Sequence, residues 1–185
     1  MLSTGGDGGD GGTGKDSTGD ASGGDGGAGG AAGQVTVSVT DTAEVNIKTT
    51  GSDAIGVLAR SYGGAGGDGG DADSTFGSGK GGSNDGAGPA GNVFVTFQGS
   101  IETTGDGDGT SDDGSDSTTT SSAILAQSIG GFAGKAGDAE GFLKSYGAST
   151  ESAGDGGQVT VELNEGTTIS TSGEFSDGIE AQSIG

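Results

Sequence analysis

Cysteine, histidine and tryptophan are absent from the 185 residues, and proline occurs once. Without His or Cys the chain can build no Ser-His-Asp triad, no Cys nucleophile and no His- or Cys-ligated zinc or haem site. Any catalysis would fall to Asp, Glu, a few Lys, Tyr62, Tyr146 and Arg60. The absence of Cys is compatible with any redox compartment. Basic side chains are scarce: 6 stand against 27 acidic ones, for a formal net charge of -21. Phosphates would meet a strongly negative surface, so no nucleic-acid partner is expected, and anionic membranes are disfavoured in the same way. No apolar run approaches the roughly 18 residues of a membrane span, so no direct membrane insertion is expected. The opening "MLSTGGDGGD" has no basic segment followed by an apolar one, and no signal peptide is visible.

Glycine fills the space these residues leave. There are 48, and Ser and Thr bring Gly, Ser and Thr together to about half the chain. Only 27% of residues are hydrophobic, so a thick core filled by side chains is not expected. Collagen is excluded, because Gly does not fall at every third position alongside abundant Pro.

The apolar residues recur in order. Three segments align: "GQVTVSVTDTAEVNIKTTGSDAIGVLARSYGG" from Gly33, "GNVFVTFQGSIETTG" from Gly91 closing at "SSAILAQSIGG", and "GQVTVELNEGTTISTSGEFSDGIEAQSIG" from Gly157. Val35, Val93 and Val159 correspond, as do Val37, Val95 and Val161, and Ile47, Ile101 and Ile169. A closing motif, [GA]-[VI]-x-A-[QR]-S-[IY]-G, occupies Gly56–Gly63, Ala123–Gly130 and Gly178–Gly185. Within each segment β-branched residues alternate with polar ones, the signature of half-buried strand. Val57, Ala59 and Ser61 fall on one face, and the equivalent residues of the other repeats would stack beside them. Recurrence of this length, with insertions confined to two places, predicts a stacked scaffold with peripheral loops. The expected fold class is all-β: a parallel β-helix or β-solenoid of about three coils. Residues 1-32 read as a Gly-rich tail of a preceding repeat. Repeats then cover 33-90, 91-156 and 157-185, the last incomplete, in one continuous solenoid.

The Gly-rich excursions between repeats carry the triplet Gly-Gly-X, as in "GGDGGDGGTG" and "GGAGGDGGD". Two readings stand. The stretches are flexible linkers, or they form three-residue-per-turn, polyglycine-II-like helices whose bare faces exchange backbone hydrogen bonds.

Several motifs carry residue types suited to chemistry. "GDGGTGK" at Gly9–Lys15 nearly fits a phosphate-binding loop, but Asp16 stands where Ser or Thr is required and would repel phosphate. The insertion "DGDGTSD" offers Asp106, Asp108 and Asp112 as a calcium loop, with calcium the one cofactor considered. Ser111 and Ser117 occupy the positions where an EF-hand needs Gly and Glu, and a charge-repelled loop is the plainer account. Asp53 and Asp177, with Arg60, are the candidates for a carbohydrate-active enzyme, since glycoside hydrolysis needs two converging carboxylates. Thr36, Thr96 and Thr160 suggest a Thr row of the kind an ice-binding solenoid presents. Neither alternative has a dedicated motif, and no catalytic residue is assigned.

The third repeat and the close of the second resemble passenger-domain repeats of bacterial autotransporter proteins, of the form G-G-x-V-x-V…S-x-G-I-x-A-Q-S-I-G-G. "GGQVTVELNEGTTISTSGEFSDGIEAQSIG" matches almost throughout, while "VLARSYGG" in the first repeat departs from the pattern. The resemblance implies a parallel β-helix at the bacterial cell surface or secreted, carried outward by a membrane barrel. It implies structural or adhesive work, with surface glycans or host receptors as partners, and supplies no catalytic residues. On this reading the chain is expected to be a passenger fragment. Its bare strand edges would stack on neighbouring repeats or on further copies of the chain.

Overall fold

The computed structural model describes residues 1–40, 45–105 and 121–185, and all its regular structure is β, with no helix among the described residues. The chain opens on β1 (Leu2–Thr4), runs through a Gly-rich arm to the short strands β2 (Gly14–Asp16) and β3 (Ala21–Ser22), and returns by a second arm. Three longer strands follow: β4 (Val35–Val39), β5 (Asn46–Thr50) and β6 (Ile55–Tyr62). The same order recurs as β7 (Ala72–Ser74), β8 (Gly79–Lys80), β9 (Val93–Phe97), β10 (Ser100–Thr104) and β11 (Ser121–Ile129). It recurs again as β12 (Ala139–Gly141), β13 (Ser145–Tyr146), β14 (Val159–Leu163), β15 (Thr168–Ser172) and β16 (Ser176–Ile184).

Strands pair only with their equivalents in the neighbouring repeat, always parallel. The sheets run β14-β9-β4, β15-β10-β5, β12-β7-β2, β13-β8-β3 and β1-β6-β11-β16. The repeats therefore lie as three layers, the second between the other two. The register is the one the sequence alignment predicts. Val35 pairs with Val93 and Val93 with Val159; Ile47 pairs with Ile101 and Ile101 with Ile169. In the closing strands Val57, Ile124 and Ile179 form one column, and Ala59, Ala126 and Ala181 the next.

One face of each alternating strand turns inward, and the inward residues form a single core of Val35, Val57, Val93, Val95, Phe97, Ile101, Ile124 and the alanines beside them. Burial is deepest in the middle layer. Phe97 and Ile124 are fully buried, whereas Leu163 and Ile179, their partners in the third layer, are 40% and 42% exposed. Identical pattern, different cover: a residue here is buried as much by the layer above and below as by its own.

The Gly-rich excursions are hydrogen-bonded to one another from layer to layer. Every third residue of one arm bonds the same arm of the next layer: Gly5 N–H to Tyr62 O (2.8 Å), Gly8 to Ala65 (2.8 Å), Gly11 to Asp68 (2.7 Å). The second Gly of each triplet bonds the opposite arm. Gly30 donates to Gly6 O (2.7 Å), Gly64 to Gly30 (2.9 Å), Gly88 to Gly64 (2.8 Å), Gly131 to Gly88 (3.0 Å) and Gly154 to Gly131 (2.9 Å), an unbroken line through all three layers. These approaches leave no room for a side chain: a Cβ on Gly64 would lie 2.1 Å from Gly6 O, whereas one on Gly6 would meet nothing within 4 Å. Unlike the sequence expectation of plain loops, each excursion also carries the two short strands at its tip, paired across the layers.

Candidate functional site

The third position of the Gly-Gly-X triplet is where chemistry is exposed, and it is frequently Asp. Asp7 Oδ1 accepts the N–H of Ala65 (2.9 Å), Asp10 that of Asp68 (3.0 Å), and Asp25 that of Ser83 (2.9 Å). Between the second and third layers Asp68 accepts from Lys135 (2.6 Å), Asp71 from Asp138 (2.9 Å), and the side-chain oxygen of Asn84 from Glu151 (2.9 Å). Each carboxylate satisfies the one backbone N–H of the next layer that faces outward and has no carbonyl to meet. These Asp side chains thus couple one layer to the next, a role that composition alone did not reveal.

The Ser that recurs in the closing motif has a comparable task. Gly33 donates to Ser3 Oγ (2.9 Å), Ser61 donates to Gly33 O (3.1 Å), and Gly91 donates to Ser61 (2.9 Å). Ser128 then donates to Gly91 O (2.8 Å), Gly157 donates to Ser128 (2.7 Å), and Ser183 donates to Gly157 O (2.8 Å). The hydroxyl acts as donor and acceptor at once, so alternating Ser and Gly form a continuous relay from one end of the stack to the other. Ser61 and Ser128 are fully buried, where a hydroxyl without partners would be costly.

The arm tips carry exposed apolar groups. Phe76 and Phe142 meet edge to face with centroids 6.5 Å apart, and both stand clear of the body with Leu143 and Tyr146. Beside them an open groove of about 230 Å3 is lined by Thr13, Lys15, Asp71, Asp73, Asp138 and Glu140. Lys15 and Glu140 flank Asp73 as its register partners on β2 and β12. Such a surface can hold a polar ligand by hydrogen bonds.

The residues singled out from sequence separate as follows. Asp106, Asp108 and Asp112 lie outside the described residues; among the described ones, no group of three or more carboxylates is placed to hold a metal ion. Asp53 and Asp177 do not converge. Asp177 shares a column with Ser122 and Ile55, while Asp53 sits before β6 in a turn at φ 54°, a conformation Asp tolerates. A middle layer intervenes as well. Arg60 takes its place in the polar column Leu2–Arg60–Gln127–Gln182, where Gln127 Nε2 donates to Gln182 Oε1 (2.7 Å). The Thr row is not a row: Thr36 and Thr160 align on Phe94, and Thr96 pairs with Ser38 and Glu162. The Gly9–Lys15 segment cannot cradle phosphate, because the N–H groups of Gly11 and Gly14 are spent on Asp68 and Asp71 of the next layer. Asp16 instead closes its own turn, accepting from the N–H groups of Thr18 (2.8 Å) and Gly19 (3.0 Å), which hold its carboxyl below the ordinary Asp value.

No family model matches this chain, and comparison with curated proteins and with solved structures likewise finds no match.

Proposed function

We propose that the chain is a non-catalytic β-solenoid of about three coils, with polyglycine-II-like arms, that works outside the cell as a structural and adhesive element of a bacterial surface. In this reading it is a passenger segment of an autotransporter-like protein. The observation that carries it is the Ser–Gly relay. One residue type at one position of every repeat is used to fasten layer to layer. Length and stiffness come from parallel ladders, and the arms hold the Phe76, Phe142, Leu143 and Tyr146 tips away from an acidic body, where they meet surface glycans or host receptors. The likeness of the "AQSIG" repeats to autotransporter passengers supports the location.

The architecture and the activity are tested separately. A Thr36→Cys/Phe94→Cys double variant places two thiols in register partners on adjacent parallel strands, within disulfide reach. Rapid oxidation is expected there, and slow oxidation of the out-of-register pair Thr36→Cys/Thr96→Cys. Cells displaying the chain are expected to bind glycan- or matrix-coated wells and to release no product from acidic or neutral glycans. Product formation abolished by changing a single carboxylate would replace this reading with a carbohydrate-active enzyme.

A further inference from the structure

In the arms of the first two layers Asp is followed by Gly five times, at Asp7, Asp10, Asp25, Asp68 and Asp85. Four of these pairs grip a single residue of the next layer by both of its backbone groups. Asp7 Oδ1 accepts the Ala65 N–H (2.9 Å) while the Gly8 N–H donates to Ala65 O (2.8 Å). Asp10 and Gly11 hold Asp68 in the same way, Asp25 and Gly26 hold Ser83, and Asp68 and Gly69 hold Lys135. The fifth pair is different. The Gly86 N–H donates to Oδ1 of its own neighbour, Asp85 (2.8 Å). The grip on the third layer has passed to Asn84, which is buried: its Oδ1 accepts the Glu151 N–H (2.9 Å), and its Nδ2 donates to Gly134 O (2.7 Å). Asp85 itself is exposed to water.

We propose that Asp85–Gly86 is a site of self-modification, where the chain isomerises to an isoaspartyl link through a cyclic imide. The Gly86 nitrogen attacks Cγ of the protonated Asp85 carboxyl. A C–N bond forms, the Cγ–OH bond breaks, and the amide hydrogen leaves with the hydroxyl as water. Water then adds to one of the two imide carbonyls. Opening at the side-chain carbonyl restores Asp85, and opening at the main-chain carbonyl leaves the chain running through the side chain. The net change is an isomerisation, with water the only co-reactant. The 2.8 Å bond sets the attacking nitrogen beside an oxygen attached to the carbon it must reach, and such positioning is the main lever on an intramolecular reaction. Gly86 brings no side chain to hinder the approach. In the four clamped pairs, closing the same ring means breaking two bonds to the next layer. An isoaspartyl link adds one carbon to the main chain just before Gly86. The Gly86 carbonyl accepts the Gly29 N–H (3.0 Å), and the next N–H, of Ala87, donates to Ser152 O (3.2 Å), so the added carbon loosens the middle arm from both neighbours.

The test is incubation of the folded full chain in warm, mildly acidic buffer, followed by mass-spectrometric fragmentation that tells the two linkages apart at each Asp. Isoaspartate is expected to build up at Asp85 about tenfold or more faster than at Asp7, Asp10, Asp25 or Asp68. In urea the five pairs are expected to react within about threefold of one another, because the fold alone holds four of them apart from the reaction. The ranking is read on the unaltered chain. Gly86→Ala adds a second check: its Cβ would meet nothing nearer than 3.8 Å, so the arm accepts it, while the methyl group hinders the attack and slows isomerisation at Asp85. Three results overturn the inference: Asp85 reacting no faster than the four clamped pairs in the folded chain, the same preference for Asp85 persisting in urea, or a folded Gly86→Ala chain that isomerises at Asp85 as quickly as the parent.

Discussion

The strand body and the glycine arms are stacked in the same three layers, yet they are held by opposite means. In the body, side chains fill the interior and the backbone ladder follows: Phe97, Ile101 and Ile124 exclude water, and the parallel strands align around them. In the arms the backbone is the interior. Gly6, Gly30, Gly64, Gly88, Gly131 and Gly154 bond one another directly, and at Gly64, Gly88, Gly131 and Gly154 a side chain would meet a backbone oxygen. The body gains hydrophobic stabilisation with each buried methylene. The arms offset the large chain entropy of glycine with hydrogen bonds alone, each with a modest net contribution. A missing atom should therefore damage the body, and an added atom the arms.

The sharpest way to break that contrast is to remove volume from the body. Phe97→Ala is expected to cost about 3–5 kcal/mol, while Leu163→Ala, its exposed column partner, costs less than about 1; urea denaturation measures both. Equal effects at the two positions would mean that the layers do not cover one another. Next comes addition of volume to the arms. Gly64→Ala should cost about 2–3 kcal/mol, because the obstructing atom is a backbone oxygen with nowhere to yield. Gly6→Ala should fall within about 0.5 kcal/mol of the parent. If Gly64→Ala is equally harmless, the arms are not in contact.

The relay is intermediate, since it ties body to arms. Ser128→Ala is expected to cost about 1–3 kcal/mol by orphaning the Gly157 N–H, with Ser183→Ala close to neutral. The smallest effect is electrostatic and confined to one tip. Two backbone N–H groups stabilise the ionised Asp16 and lower its pKa from 3.8. A group whose pKa is lower in the folded state stabilises above its unfolded value, and loses that contribution as pH falls through the folded one. In an NMR titration the Thr18 and Gly19 amides should follow the Asp16 carboxyl with a midpoint below 3.8, and Asp16→Asn should remove the dependence.

The body was largely legible in the sequence because its information is carried by side chains. Alternating Val35, Val37 and Val39, aligned on Val93, Val95 and Phe97, give strand, face and register together, and the closing-motif columns followed in the same way. The arms were legible only as a period. A Gly-Gly-X triplet states that two of every three directions are bare, but nothing in it says that Gly64 should bond Gly30 rather than water. The same blindness hid the tip strands, too short to show alternation, and the carboxylates that meet backbone N–H groups of another layer. Asp53 with Asp177, and Thr36 with Thr96, match by residue type, while the register runs by position.

The line of glycine and serine bonds through the layers also determines how the molecule answers a pull. In the arms, facing residues of successive layers are 58 and then 67 positions apart. A load applied between the two ends runs along the stack and falls on one layer boundary at a time. Each boundary that parts frees a whole repeat, roughly 200 Å of chain at about 3.5 Å per residue, before the next is loaded. On the proposed reading, a pulling experiment is expected to find the stack stiff while closed and yielding in long, separate steps.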